Sequence, residues 1–224
     1  MDTRPRRGTR PAPGVRPLAR VHAVTNAAVL ALDDLGVRAA ALASGGSAVA
    51  LHARDHAAAA EELARVADRF VRLARPAEAQ VFVNGRADIA RAIGAHGVQL
   101  ADDDLAPDDA RLVLGDGLVG RSAHSADDVL RARDEGADFV ILGHIFPTPS
   151  HAGRPLGLEE LKRGVAAGIP VVAIGGITVE NAARVRDSGG WGVAAIRALW
   201  EAANPAEAVR QLLAPWTEGR DEQS

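Results

Sequence analysis

Short apolar runs of three or four residues recur eight times along this chain, each followed by a charged, Ala-rich stretch of helical length, and this alternation constrains the fold most. The runs are Val21 to Val24, Ala48 to Leu51, Val81 to Val83, Val98 to Leu100, Leu118 to Gly120, Phe139 to Leu142, Val171 to Ile174 and Val193 to Ile196. The stretches between them, such as Ala57 to Leu73 and Ser125 to Glu135, place apolar residues at three- and four-residue steps and predict crossover helices. Parallel strands joined by helices form either an open doubly wound sheet, usually of about five or six strands, or a closed barrel of eight. Eight units predict the α/β class and a single (β/α)8 TIM barrel. At 224 residues the chain suits one such barrel, expected over residues 19–216, with Pro- and Arg-rich residues 1–18 and polar residues 217–224 as flexible tails. Gly94, Gly136 and Gly189 fit left-handed helix ends leading into the next strand.

Composition narrows the possible functions. With 47% hydrophobic residues but only 3% aromatic ones, the core is built from Ala, Val, Leu and Ile, as small helices around a parallel sheet require. A net charge of -3, with basic residues dispersed apart from a short cluster at Arg4, Arg6, Arg7 and Arg10, gives no footprint for nucleic acid. The absence of cysteine removes disulfides, thiolate metal sites and thiol nucleophiles. No apolar run reaches spanning length, so no membrane partner is expected and a cytoplasmic location is. Trp191, Trp200 and Trp216 are expected to pack on the barrel or on a partner subunit.

Barrels of this type hold phosphate between the loops after strands seven and eight. Strand seven ends in Gly175-Gly176-Ile177-Thr178, where two missing side chains let backbone N–H groups approach an anion and Thr178 caps the next helix. Strand eight ends in Ile196-Arg197, adding a helix N-terminus and a guanidinium. An isolated Gly-Gly pair is explained by a tight turn alone; its place at the seventh unit points to a small-molecule phosphate. Further motifs close other strands: Val83-Asn84-Gly85-Arg86, Gln99 to Asp104, Gly120-Arg121-Ser122-Ala123-His124, and Gly143-His144 through Thr148, Ser150 and His151. Strand alternation puts Ser122 and His124 on one face and Arg121 on the other. His52 and His56 flank Arg54 without a third ligand at matching spacing and read as solvated surface. Asp102 to Asp104 read as caps of the following helix, with Asp104 kept as a candidate Mg2+ ligand.

The ordered set resembles the thiamine phosphate synthase/TenI superfamily, whose pattern is an Asn-Asp-Arg triplet, a Gly-Val-His-Leu-Gly-Gln-x-Asp strand, a Gly-x-Ser-x-His strand and a Thr-x-Thr-Lys loop before Ala-Ile-Gly-Gly-Ile. The likeness covers roughly Val21 to Leu213. It implies thiamine biosynthesis and, commonly, a homodimer. In the synthase branch it implies condensation of a thiazole phosphate with an aminopyrimidine diphosphate, assisted by Mg2+ and cationic side chains. This chain departs from that branch selectively. The family's Gln-Leu-Arg-Glu-Lys becomes Ala50-Leu51-His52-Ala53-Arg54, the first metal-binding Asp is Gly85 while the second persists as Asp104, and the loop Lys is His151. The half that holds thiazole phosphate persists in Thr148, Ser150, Gly175, Gly176, Ile196 and Arg197. This pattern resembles the TenI branch, which tautomerises a thiazole carboxylate phosphate. It implies His124 as acid/base and no cofactor; Ser122, on the same strand face, is placed to orient substrate, Asn84 and Arg54 are candidate pocket residues, and His144 either lines the pocket or packs. An imidazole with an ordinary pKa of about 6.5 suits the transfer; the rival role for His124 is a helix cap or loop bond. A synthase using Arg54, His151 and Mg2+ on Asp104, and a non-catalytic binder of phosphate ligands, are the alternatives.

Overall fold

The structure, a computed structural model, describes residues 17–151 and 153–217. Strands β1 (Val21–Val24), β2 (Val49–Ala53), β3 (Gln80–Asn84), β4 (Gly97–Leu100), β5 (Leu118–Ala123), β6 (Phe139–Gly143), β7 (Val171–Ile174) and β8 (Gly192–Ala195) pair in parallel in sequential order, and β8 closes on β1. Helices α1 (Ala27–Leu30), α2 (Leu35–Ala43), α3 (Ala60–Ala74), α4 (Ala87–Ala92), α5 (Pro107–Leu114), α6 (Ala126–Asp134), α7 (Gly157–Val165), α8 (Val179–Asp187), α9 (Arg197–Trp200) and α10 (Pro205–Thr217) surround the barrel. The predicted (β/α)8 architecture is therefore the one adopted.

Two apolar layers result from strand alternation. Val21, Leu51, Val81, Val98, Val119, Val140, Val171 and Val193 point outward into the helix layer, while Val24, Ala50, Phe82, Phe139, Ile141, Val172 and Ala194 fill the interior. Glycines make room for the two interior phenylalanines. A Cβ on Gly97 would lie 2.7 Å from Phe82 Cε1, and one on Gly120 would lie 2.3 Å from Phe139 Cζ. Both rings are fully buried and meet edge to face at 5.3 Å. Burial of each contributes roughly 1.5–3 kcal/mol, so the two rings plug the barrel interior beneath the mouth.

Local chemistry explains the boundaries. Asn26 and Ser125 cap α1 and α6 by accepting the Val29 and Asp128 N–H groups, and Thr178 with Asn181 forms a capping box on α8. Gly94, Gly136 and Gly189 adopt the expected positive φ. The helix expected from Ala57 begins at Ala60, with Glu61 and Glu62 in its first turn, and β2 runs on to Ala53, beyond the expected Leu51. Of the expected tails, residues 1–16 and 218–224 lie outside the described residues. Pro17 and Leu18 are already tied to the barrel bottom, their carbonyls accepting from Gln80 Nε2 and Trp191 Nε1. All three tryptophans meet their own barrel: Trp200 stacks on Phe70, Trp191 lies under Arg20, and Trp216 donates to the Gly190 carbonyl. Among the described residues no helix is long and apolar enough to cross a membrane.

Candidate active site

A cavity of about 340 Å³ opens at the carboxyl ends of the strands. Val24, Ile141, Ile174 and Ala194 give it apolar walls, and His52, Asn84 and Gln99 line it at their strands' interior-facing positions. A second space of about 450 Å³ lies over the ends of β2 to β5 and shares Arg54, Asn84, Ser122 and His124 with the first.

The β6–β8 half of the mouth is set by backbone geometry. Gly175 and Gly176 take φ of 92° and 65°, and a Cβ would meet His144 Cβ at 2.3 Å on the first and the Pro147 carbonyl at 2.5 Å on the second. Only glycine permits this approach of two loops. Ile145 and Phe146 donate N–H bonds to the Ile174 and Gly175 carbonyls, while Asn181 donates to the Gly176 carbonyl and accepts from Thr178. Arg197, opening α9, reaches across to donate to Thr148 Oγ1 at 3.4 Å. The structure thus brings Thr148, Ser150, His151, Gly175, Gly176, Ile196 and Arg197 together around one cavity. His144, whose Nε2 donates to the Gly153 carbonyl, stacks on His151 at 5.1 Å. The arrangement offers backbone N–H groups, a hydroxyl pair and one permanent cation to an anion.

His124 follows β5 on the interior-facing parity it shares with Ser122. Its Nδ1 lies 3.2 Å from the Gly143 carbonyl, which only accepts, so Nδ1 carries the proton and the neutral ring keeps a free lone pair on Nε2. Nε2 stands 3.7 Å from Asp102 Oδ2, with the two side chains 65% and 67% exposed, a pair too solvated to hold the ring. The cap of α6 is Ser125 rather than His124, and the His124 N–H is fixed by Asp128. Arg121 points away, as expected, and donates to the Leu105 and Asp102 carbonyls. Ser122 Oγ accepts from Gln99 Nε2.

The β2–β4 half corrects two expectations. His52 is not at the surface: it is fully buried, because β2 continues past Leu51 and its alternation turns residue 52 inward. His52 Nε2 meets His22 Nδ1 at 2.8 Å, and His22 Nε2 meets the Ala19 carbonyl at 3.1 Å. Burial pushes the His22 pKa down to about 4 and, with the neighbouring His22 adding to it, holds His52 well below the ordinary imidazole value. His56 is exposed, in contact with Arg54, and burial lowers the pKa of that guanidinium. The aspartates do not cap the next helix, since α5 starts at Pro107 after Ala106. Asp104 instead closes its own loop by accepting the Ala101 N–H at 2.7 Å. Opposite it stands Gly85, whose added Cβ would lie 2.9 Å from Asp104 Oδ1. Mg2+ favours carboxylate oxygens in octahedral array; here one half-committed carboxylate faces a glycine, and among the described residues no cluster of three or more His, Asp or Glu is placed to hold a metal. This donor set does not fit a diphosphate-bound Mg2+. Asn26, Val24, Ile141 and Ile174, with the buried His22 below them, were not singled out in the sequence, and Gln99 stood there only as the start of the motif that closes β4.

A closed (β/α)8 barrel with a polar-rimmed, apolar-walled cavity at the carboxyl ends of its strands defines the class, that of small-molecule barrel enzymes. The chain belongs to the thiamine monophosphate synthase (TMP-TENI) family, which matches residues 21–199. It is 43% identical over 173 residues to the thiamine-phosphate synthase of Chlorobium luteolum, covering 75% of this chain and 82% of that one. It is 39% identical over 209 residues to the thiamine-phosphate synthase of Halorhodospira halophila, covering 91% and 97%. The solved thiamine phosphate pyrophosphorylase from Pyrococcus furiosus superposes with a TM-score of 0.77 at 32% identity, over 91% of this chain and 98% of that chain. The superfamily expected from the motifs is thus the right one. These relatives carry the name of its synthase branch, not of the TenI branch that the sequence reading placed first.

Proposed function

We propose that this chain binds a thiazole phosphate and moves a proton on it, as a TenI-like tautomerase with His124 as acid/base. The observation that carries the reading is the placement of His124: its Nε2 lone pair borders the same cavity as the glycine turn and Arg197. The phosphate rests on Gly175, Gly176, Arg197, Thr148 and Ser150, and the ring lies between Val24, Ile141, Ile174 and Ala194. His124 Nε2 takes a proton from one ring carbon as the C–H electron pair enters the conjugated system. It returns that proton to the exocyclic carbon, so no atom or electron is gained. A hydrogen bond from Nδ1 to the Gly143 carbonyl stabilises the intermediate imidazolium. Ser122 and Asn84 orient the ring, and Arg54 faces its carboxylate.

A second reading, thiamine phosphate synthase, is favoured by the names of the relatives, while the residues of the β2–β4 half favour the first. It requires Arg54 and His151 to replace lysines and Asp104 to serve Mg2+ unaided. One assay separates them. Purified protein is incubated with the thiazole carboxylate phosphate, with and without aminopyrimidine diphosphate and Mg2+, and both products are followed. Isomerisation without the diphosphate, lost in His124→Asn, supports the tautomerase; Mg2+-dependent thiamine phosphate formation alone replaces it with the synthase. Binding without either product makes the chain a phosphate-ligand binder.

A further inference from the structure

Two imidazoles stand on the outer wall of the anion cradle, and the proton transfer above uses neither. His144 is seated against the glycine turn, since a Cβ on Gly175 would lie 2.3 Å from its own, and its Nε2 donates to the Gly153 carbonyl at 3.2 Å. That carbonyl only accepts, so in the neutral ring Nδ1 is a lone pair. His151 stacks on the same ring with centroids 5.1 Å apart and planes tilted by 28°. The turn that carries His151 is closed by its N–H donating to the Thr148 carbonyl at 3.2 Å, and Arg197 reaches the Thr148 hydroxyl from α9. Both rings, the hydroxyl and the guanidinium therefore share one short segment beside the glycine pair. The other titratable or charged side chains lining this cavity are His52, which burial keeps neutral, and Arg54, His124 and Arg197; among the described residues no carboxylate lines it. From α8, Arg184 approaches the same loop over the Phe146 ring at 5.4 Å.

An imidazole ordinarily gains its proton near pH 6.5, so close to neutrality a modest electrostatic change decides its state. Without an anion, a proton on either ring meets two guanidiniums and a second imidazole, with no carboxylate to answer it. A dianion in the cradle reverses that balance. We propose that the His144–His151 pair couples anion binding to proton uptake, so that a phosphate monoester is held more tightly as the pH falls through the imidazole range. The bound dianion draws a proton from water onto the pair and its release returns that proton, with no covalent bond of the ligand made or broken. Linkage makes the effect reciprocal: the proton strengthens the anion's binding by the factor by which the anion strengthens the proton's. The coupling deepens the function given above by naming the regulation of its anion site, and it rests on the glycine turn holding that anion.

Titration calorimetry on the full chain tests it with sulfate, a dianion that does not itself titrate near neutrality, at constant ionic strength. From about pH 6 to about pH 8 the dissociation constant should rise about fivefold in the unmodified protein. In His151→Gln the rise should shrink to about twofold or less. In His151→Lys, which stays cationic across the range, the constant at the upper pH should approach that at the lower. His151 is exposed, so both variants keep the fold. His124→Asn should retain the full rise; its loss there would move the proton to that ring and overturn the assignment. A constant that ignores pH in the unmodified protein, or a rise of the same size in His151→Gln, overturns the coupling and leaves the cradle standing. Sulfate that fails to bind at either pH removes the cradle, and the coupling falls with it.

Discussion

The two halves of the mouth are built by different means. Between β6 and β8, main-chain bonds and positive-φ glycines lock two loops together, and Arg197 contributes a permanent charge from a side chain. Between β2 and β4, charged side chains dominate and satisfy one another: Arg86 pairs with Asp88, Arg54 with His56, and Asp104 with its own loop. A site made of backbone geometry survives substitution of its neighbours, whereas one made of carboxylates and cations is dismantled one residue at a time. On the proposed function, the difference accounts for an anion cradle standing beside a candidate metal position that lacks its partner carboxylate.

The largest effect is expected from breaking the backbone half. Gly175→Val forces a branched side chain into φ 92° and into His144, whose Cβ lies 2.3 Å from the position a Cβ would take. Strain and overpacking of about 1–3 kcal/mol each are expected, and the loop displacement removes the cradle. Urea unfolding should show a loss of several kcal/mol, and calorimetry should detect no binding of inorganic phosphate. Retained phosphate affinity would place the anion elsewhere.

His124 stands where the halves meet. His124→Asn keeps a hydrogen-bond donor of similar reach but cannot carry a proton, so isomerisation should fall about 10²–10⁴-fold while phosphate affinity stays within about threefold. A parallel loss of both would show that the ring binds rather than reacts.

Beneath both halves lies the neutral histidine pair, whose contribution depends on pH. The unfolded chain protonates His22 near the ordinary 6.5, and the folded chain only near 4, so on acidification the unfolded state binds the proton first. Stability is full above 6.5 and declines as pH falls through the window down to about 4. At pH 5 His22 alone costs about 2 kcal/mol relative to neutral pH, and His52, shifted the same way, adds to the decline. The slope of unfolding free energy against pH should flatten in His22→Gln. An unchanged slope would assign the acid sensitivity to other groups.

How much of this was legible in the sequence follows from the same physics. The eight apolar runs and the Gly175-Gly176 pair were readable because barrel strands are continuous hydrophobic runs and positive φ demands glycine. His52 was misread because the apolar run stops at Leu51, while the strand carries a buried imidazole one step further. The aspartates were misassigned as caps because α5 begins only after Ala106, leaving them to close a loop. Gln99, Ile141 and Ile174 gave no inward signal, since strands buried on both faces lack the polar alternation that marks a face.

The smallest expected effect sharpens the comparison by removing one cation from each half. Arg197 lines the cavity and reaches Thr148 from the N-terminus of α9, so its charge acts on a bound anion at short range with little competing salt bridge. Arg86 is already neutralised by Asp88, whose carboxyl it holds below the usual range, and both are largely exposed. Arg197→Met should therefore weaken inorganic phosphate about tenfold, or about 1.4 kcal/mol, near the lower end for one hydrogen bond to a charged group. Arg86→Met should change phosphate affinity less than about twofold and stability by no more than about 0.5 kcal/mol. Equal losses in the two variants would mean that the anion straddles the mouth, and the β2–β4 half would then be a working part of the phosphate site despite its missing carboxylate.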